Sequence, residues 1–293
     1  VIDWDAIVAS IRFASGDRFD PGTPRAVVGG CINRAYSLGS GAHRYFVKLN
    51  GADRLSMFEA EAAGLQEMAD TGTIRVPRPL CTGIAGGRSY IVMEHIALGG
   101  QRADGEREAG RQLAAMHRAS RQGFGWDRDN TIGSTPQPNN TGYDWVEFWG
   151  RRRLGFQLAL AAHKGYQGQL REKGDRLLEA LPALIDHDPA PSLLHGDLWG
   201  GNRGFDSDGH PVIFDPAVYY GDREADVAMT ELFGGFGADF YAAYNEAWEL
   251  DPGYRTRKVL YNLYHILNHL NLFGTGYLTQ AQDMMERLLV QAG

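Results

Sequence analysis

Two acids and an amide carry the chemistry legible in this sequence. Asp197 and Asn202 stand five residues apart in His195-Gly196-Asp197-Leu198-Trp199-Gly200-Gly201-Asn202, and Asp215 follows in Ile213-Phe214-Asp215-Pro216. Transfer of a nucleotide's γ-phosphoryl group to a hydroxyl needs an acid to take the hydroxyl proton, an amide oxygen on a metal ion and a second acid on the metals. Asp197, Asn202 and Asp215 fit those roles in that order. Their hard oxygen donors suit Mg²⁺, which keeps part of its water shell and otherwise takes phosphate oxygens. Either fragment alone reads as a polar turn or a strand end, and it is the pair in this order and spacing that points to ATP chemistry. Between them, Gly204-Phe205-Asp206 and Pro211-Val212-Ile213-Phe214 flank Ser207-Asp208-Gly209-His210, which predicts a hairpin around an Asp-Gly turn. Closing it lets Asn202 and Asp215 serve one metal cluster although 13 positions separate them.

A second set of residues reads as nucleotide-binding. Gly29-Gly30-Cys31-Ile32-Asn33 lies between two strand patterns, and glycines there let backbone N–H groups approach phosphates. Paired glycines also mark ordinary tight turns, so Gly29, Gly30, Cys31 and Asn33 depend on their context. The Gly-x-x-x-x-Gly-Lys-Ser/Thr pattern is absent, which excludes a P-loop NTPase. Lys48 interrupts the apolar run Tyr45 to Leu49, either as an edge-strand gatekeeper or as a phosphate-binding lysine. Its partner decides. In the next helix Phe58, Glu61, Ala62, Leu65 and Met68 share one face, so Glu61 is an acid on an apolar stripe and needs a cation. Lys48–Glu61 is the expected ion pair. Met93-Glu94-His95-Ile96 falls where two lobes should join, and Met93, Glu94 and Ile96 are the expected backbone contacts for adenine, although a plain linker explains the segment equally well.

The elements that must position these groups follow from periodicity. A short helix is expected over 3–13, three strands between Ala26 and Asn50, a helix over 54–70, and strands near 78–82 and over 89–94. After Gly99-Gly100 helical patterns dominate, near 105–119, 143–163, 168–183, 222–232, 237–248, 254–271 and 278–291. The expected fold is α+β, bilobal and protein-kinase-like. A nucleotide-binding lobe over 1–96 carries a five-stranded antiparallel sheet and a helix. A mainly helical lobe over 97–293 carries the catalytic hairpin and the substrate site, with the cleft between lobes as the default ligand site.

Composition excludes other classes. With 29 basic and 36 acidic residues the net charge is −7, which offers no basic surface to nucleic acid or an anionic membrane. No run of about 18 apolar residues occurs and the start is acidic, so a cytoplasmic protein is expected. Cys31 and Cys81 are too few for a disulfide framework. His265 and His269 are four apart, but Ile266 replaces the Glu of a zinc-protease motif, so the pair reads as helix packing or surface.

Taken with Phe46-Val47-Lys48, Met57 to Glu61, Val92-Met93-Glu94, Thr135-Pro136-Gln137, Trp145, Phe148, Arg153-Leu154 and Gly221 to Asp226, the chain resembles the fructosamine kinase (ketosamine-3-kinase) family within the aminoglycoside phosphotransferase-like kinases. Trp199 is the most diagnostic residue, because many kinases of that superfamily have His there. The resemblance implies ATP-dependent phosphorylation of a ketosamine at its 3-hydroxyl, after which the adduct decomposes and frees the amine. Asp197 resembles the base, Asn202 and Asp215 the metal ligands, and Lys48 and Glu61 the nucleotide pair. Trp199 is either a face for the sugar or a packing tryptophan, while His195 and Asp226 resemble supports of the catalytic loop. Cys31 resembles a redox-switch cysteine that can join two chains of an otherwise monomeric enzyme, its alternative being a small residue that fits the turn. The substrate is a free or protein-bound ketosamine, or in a second reading an aminoglycoside or choline. A third reading is a pseudokinase. Asp-Phe-Gly and Ala-Pro-Glu are absent, so regulation through an activation loop is not expected.

Overall fold

The computed structural model describes residues 2–27, 32–41 and 43–293. The chain forms two compact units, 1–105 with 204–216, and 106–203 with 217–293. The hairpin expected in the helical lobe thus groups with the first unit.

In that first unit, helix α1 (Trp4–Ser15) is capped by Asp3, whose side chain accepts from Ala6 N–H, and it stops at Gly16 in the left-handed region. Ile7, Val8 and Ile11 form its buried stripe. Phe13, two positions past Ile11, falls on the opposite side and is 93% exposed. Strands β1 (Arg25–Val27), β2 (Arg34–Ser40), β3 (His43–Gly51), β4 (Pro79–Ala85) and β5 (Arg88–Glu94) form an antiparallel sheet in the order β1-β2-β3-β5-β4. Alternation along β3 and β5 sends Val47, Leu49, Tyr90 and Val92 into one core with Ile7, Ile11, Phe19 and Leu38. Lys48 and Ile91, paired across the two strands, therefore face the other way. Helix α2 (Leu55–Asp70) packs on β4 and β5 and buries Phe58, Leu65 and Met68.

The second unit is mainly helical. It holds α3 (Gly105–His117), the ladder β6 (Asn130–Ile132) with β7 (Thr135–Gln137), and α4 (Trp145–Phe148). The single helix expected over 143–163 is interrupted by a π-helical stretch, Trp149–Leu154, before α5 (Gly155–His163). Gly155 makes this possible, because a Cβ there would meet the Gly150 carbonyl oxygen at 2.5 Å. Helix α6 (Gln169–Leu184) and strand β8 (Ser192–Leu194) follow. Next in the chain, and grouped with the first unit, comes the hairpin before Asp215, β9 (Arg203–Phe205) and β10 (Pro211–Ile213), its Asp-Gly turn closed by Gly209 at φ 81°. Strand β11 (Tyr219–Gly221) pairs antiparallel with β8, Tyr219 opposite Leu194. Helices α7 (Glu224–Leu232), α8 (Ala238–Ala247), α9 (Tyr254–Phe273) and α10 (Leu278–Gln291) complete it, with α9 packed against α5, α7 and α10. Among the described residues no helix is long and apolar enough to cross a membrane.

Candidate active site

The β8–β11 ladder leads into the segment that carries Asp197. His195 follows β8 directly, and its backbone N–H and that of Gly196 donate to the two oxygens of Asp226 at 2.7 and 2.8 Å. Those are the contacts expected of Asp226 as a loop support. His117 Nε2 lies 3.1 Å from the same carboxylate, while its Nδ1 lies 2.8 Å from the Tyr244 hydroxyl. Burial opposes the charge on Asp226, but the His117 hydrogen bond and charge, with the Gly196 donor, outweigh it and hold the acid below its usual range. Gly196, at φ 82°, is required sterically: a Cβ there would meet the Ala217 carbonyl oxygen at 2.1 Å.

Asp197 comes next, half-buried, with its N–H 3.3 Å from His195 Nδ1. A one-turn 3₁₀ helix at Gly200–Asn202 folds the segment back on itself. Asn202 Nδ2 then donates to the Asp197 carbonyl at 2.9 Å and to its carboxylate at 3.2 Å. In an amide the nitrogen donates and the oxygen is the atom type that can coordinate a cation. Trp199 is 39% exposed, and its ring covers Gly201, where a Cβ would meet ring atoms at 2.3 Å. Phe233 meets it edge-on at 6.3 Å and stacks on His269 at 5.1 Å. Phe233, just after α7, escaped the sequence reading, since no local pattern relates it to Trp199 or to His269 on α9.

In the first unit Lys48 is 5% exposed. Its ammonium donates to Glu61 Oε1 at 2.5 Å and also to Asp215 Oδ1. The expected Lys48–Glu61 pair is therefore present, with Asp215 as a third member the sequence did not predict. Burial would lower the Lys48 pKa, but the Glu61 and Asp215 charges outweigh it and raise the pKa above the ordinary value. Burial pushes the Glu61 carboxyl upward, with Asp215 acting in the same sense and Lys48 against it. Asp215 has φ 58°, the one non-glycine residue in the left-handed region among those described. Such strain persists only where the surroundings hold it.

Mg²⁺ fits these donors. Asp215 offers hard carboxylate oxygens, and within the first unit one ammonium faces two carboxylates, Glu61 and Asp215, an excess of negative charge that a divalent cation would balance. A second cluster of metal-type ligands, His187, Asp222 and Glu224, is otherwise engaged. Arg257 donates to both Glu224 oxygens at 2.7 and 3.0 Å and Tyr261 to Asp222 at 2.5 Å, which makes the cluster a buried ion-pair network.

The other predicted contacts are less uniform. Asn33 accepts from Asn50 Nδ2 at 2.7 Å, an intramolecular tie between strand ends. Met93 is buried in β5 between Phe46 and Pro79. The Glu94 carboxylate accepts from Arg75 at 2.7 Å and its N–H donates to the Arg78 carbonyl at 2.8 Å. Ile96 is half-buried just after the sheet. Gly29, Gly30 and Cys31 lie outside the described residues. Cys81 is half-buried, and burial pushes its thiol up to about 11.

His265 and His269 lie along α9 as packing residues. Burial, with a smaller contribution from His269, holds the His265 pKa down to about 3. An unfolded chain takes up a proton near pH 6.5 that the folded chain refuses, so stability should be full above pH 6.5 and decline toward pH 3. Between pH 6.5 and 5 this one group should cost about 2 kcal/mol. His265→Phe should flatten that slope in urea unfolding measured at several pH values, and an unchanged slope would show that His265 is not the group responsible.

The fold is that of the kinase-like class. A solved thermostable mutant of aminoglycoside phosphotransferase APH(4)-Ia superposes with a TM-score of 0.63 over 97% of this chain and 99% of that one, at 16% identity, a likeness of fold alone. The sequence profile of fructosamine kinase matches residues 3–291, and the chain belongs to the fructosamine kinase family. It is 50% identical over 98% of its length to a Synechocystis protein described as a ketoamine kinase, covering 97% of that protein. It is 47% identical over 90% of its length to a chloroplastic protein-ribulosamine 3-kinase of Arabidopsis thaliana, covering 82% of that protein. A crystal structure described as a fructosamine-3-kinase, from Haemophilus somnus 129PT, matches with a TM-score of 0.89 at 29% identity, over 98% of this chain and 97% of that one.

Proposed function

We propose that this protein transfers the γ-phosphoryl group of ATP to the 3-hydroxyl of a ketosamine, a sugar-derived ketoamine of the fructosamine or ribulosamine type. The observation that carries the reading is the held geometry of Asp197, tied to Asn202 and resting on a loop pinned by Asp226, in a chain matched end to end by fructosamine kinases. Asp197 accepts the proton of the 3-hydroxyl as that oxygen attacks phosphorus. Lys48, aimed by Glu61, binds phosphate oxygens of the nucleotide, and Ile96 with the Glu94 carbonyl offers backbone groups to adenine. Asn202 and Asp215 would hold Mg²⁺, which supplies charge neutralisation on the phosphates. The exposed face of Trp199 packs against the C–H surface of the sugar, two residues from the base. After enolisation toward C1 the adduct expels the C3 phosphate as inorganic phosphate, and water hydrolyses the resulting imine at C1, which releases the amine and gives the enzyme its place in deglycation.

The test is ATP turnover with a panel of fructosamine, ribulosamine, an aminoglycoside and choline. The ketosamines should be phosphorylated at least tenfold faster by kcat/KM, a difference of about 1.4 kcal/mol. Preference for the aminoglycoside or choline would move the chain to another small-molecule kinase activity, and absence of metal-dependent turnover with all four would make it a pseudokinase.

A further inference from the structure

We propose that Arg75 is a positioning residue for the nucleotide site, fixing the strand that presents Asp215 to the end of the sheet at Glu94. The inference rests on the reading of Asp215 as a metal ligand. Arg75 holds the hairpin at both ends. Its carbonyl accepts from Ile213 N–H at 3.0 Å, two residues before Asp215, and its guanidinium donates to Asp206 at 2.5 Å where the turn begins. The other guanidinium nitrogen donates to Glu94 at 2.7 Å.

Each end is itself fixed. Asp206 accepts from the N–H groups of Asp208 and His210, both at 3.0 Å, so pulling on its carboxylate moves the turn as a whole. Glu94 is anchored to the sheet through its N–H and the Arg78 carbonyl. Asp215 needs such a hold because its φ of 58° is a conformation that aspartate adopts only when its surroundings over-determine it. Lys48 holds the Asp215 side chain, and Arg75 holds the strand behind it. An exposed ion pair alone would contribute little, and the Arg75 side chain is 42% exposed. Asp206, however, is 4% exposed, and only a planar fork can serve it and Glu94 together.

The test compares ADP with MgADP binding by calorimetry in the wild-type chain, Arg75→Met, Arg75→Lys and Asp215→Asn. Because the clamp acts through a metal ligand, both Arg75 variants should weaken MgADP about tenfold, within the usual range for coupled contacts. Metal-free ADP should change less than about twofold in both Arg75 variants. Asp215→Asn should remove the Mg²⁺ increment altogether. Equal weakening of both nucleotide forms would make Arg75 a general structural residue, and an unchanged MgADP affinity would remove it from the site; either result overturns the proposal. A wild-type chain that binds ADP no better with Mg²⁺ than without it would overturn the metal-ligand reading first, and the clamp with it.

Discussion

Asp197→Asn should reduce kcat by at least about 10²- to 10⁴-fold, the usual contribution of a positioned general base. Asparagine keeps the size of aspartate and can still accept from Asn202, so the loop should hold its shape. That loop is pinned elsewhere, by Asp226 on His195 and Gly196 and by the Ala217 N–H bond to the His195 carbonyl at 2.8 Å. MgADP affinity should therefore stay within about threefold of wild type, well under the tenfold that one lost charged contact costs. Steady-state kinetics with nucleotide binding on the same preparation separates the two effects. A variant that keeps near-wild-type kcat would remove Asp197 from the chemistry.

Lys48→Met should lose both activity and stability. The ammonium is buried between two carboxylates, and removing one partner of a buried pair costs about 3–5 kcal/mol when the other stays charged. The actual loss should fall at or below the bottom of that range. Burial already pushes the Glu61 carboxyl upward, so without Lys48 it can take a proton, and Asp215 is nearly half exposed. In a Glu61→Gln background the same Lys48→Met change should cost about 1–3 kcal/mol less, a coupling typical of touching residues. Denaturant unfolding of the four proteins in the cycle gives that term directly. Strict additivity would mean that the ion pair contributes nothing in solution.

Both predictions begin from features legible in the sequence. Lys48 in an apolar strand and Glu61 on an apolar helical stripe are two violations of local pattern that cancel when paired, which is why periodicity alone located them. The hairpin was legible because Asp208-Gly209 is a strong turn signal between short apolar runs. The ladder of β8 and β11, three residues each, was not legible: its partners lie 25 to 29 residues apart, and so short a strand leaves no alternation to read. The π-helical stretch was hidden for another reason, since 149–154 keeps the composition of a helix and only the contact between Gly155 and Gly150 distinguishes it. The tie between Glu94 and Arg75, 19 positions earlier, was not legible either. Long-range pairings of this kind have no local signature. The left-handed conformation of Asp215, a non-glycine residue before proline, ran against its own local preferences.

The central claim is the site of phosphorylation, and the most direct measurement is NMR of the product formed from ATP, Mg²⁺ and a fructosamine. The account predicts one phosphate whose phosphorus couples to the proton on C3 of the sugar, absent when Asp197→Asn replaces the wild-type chain. A phosphate on any other oxygen, or an unmodified ketosamine beside a phosphorylated aminoglycoside or choline, would contradict it.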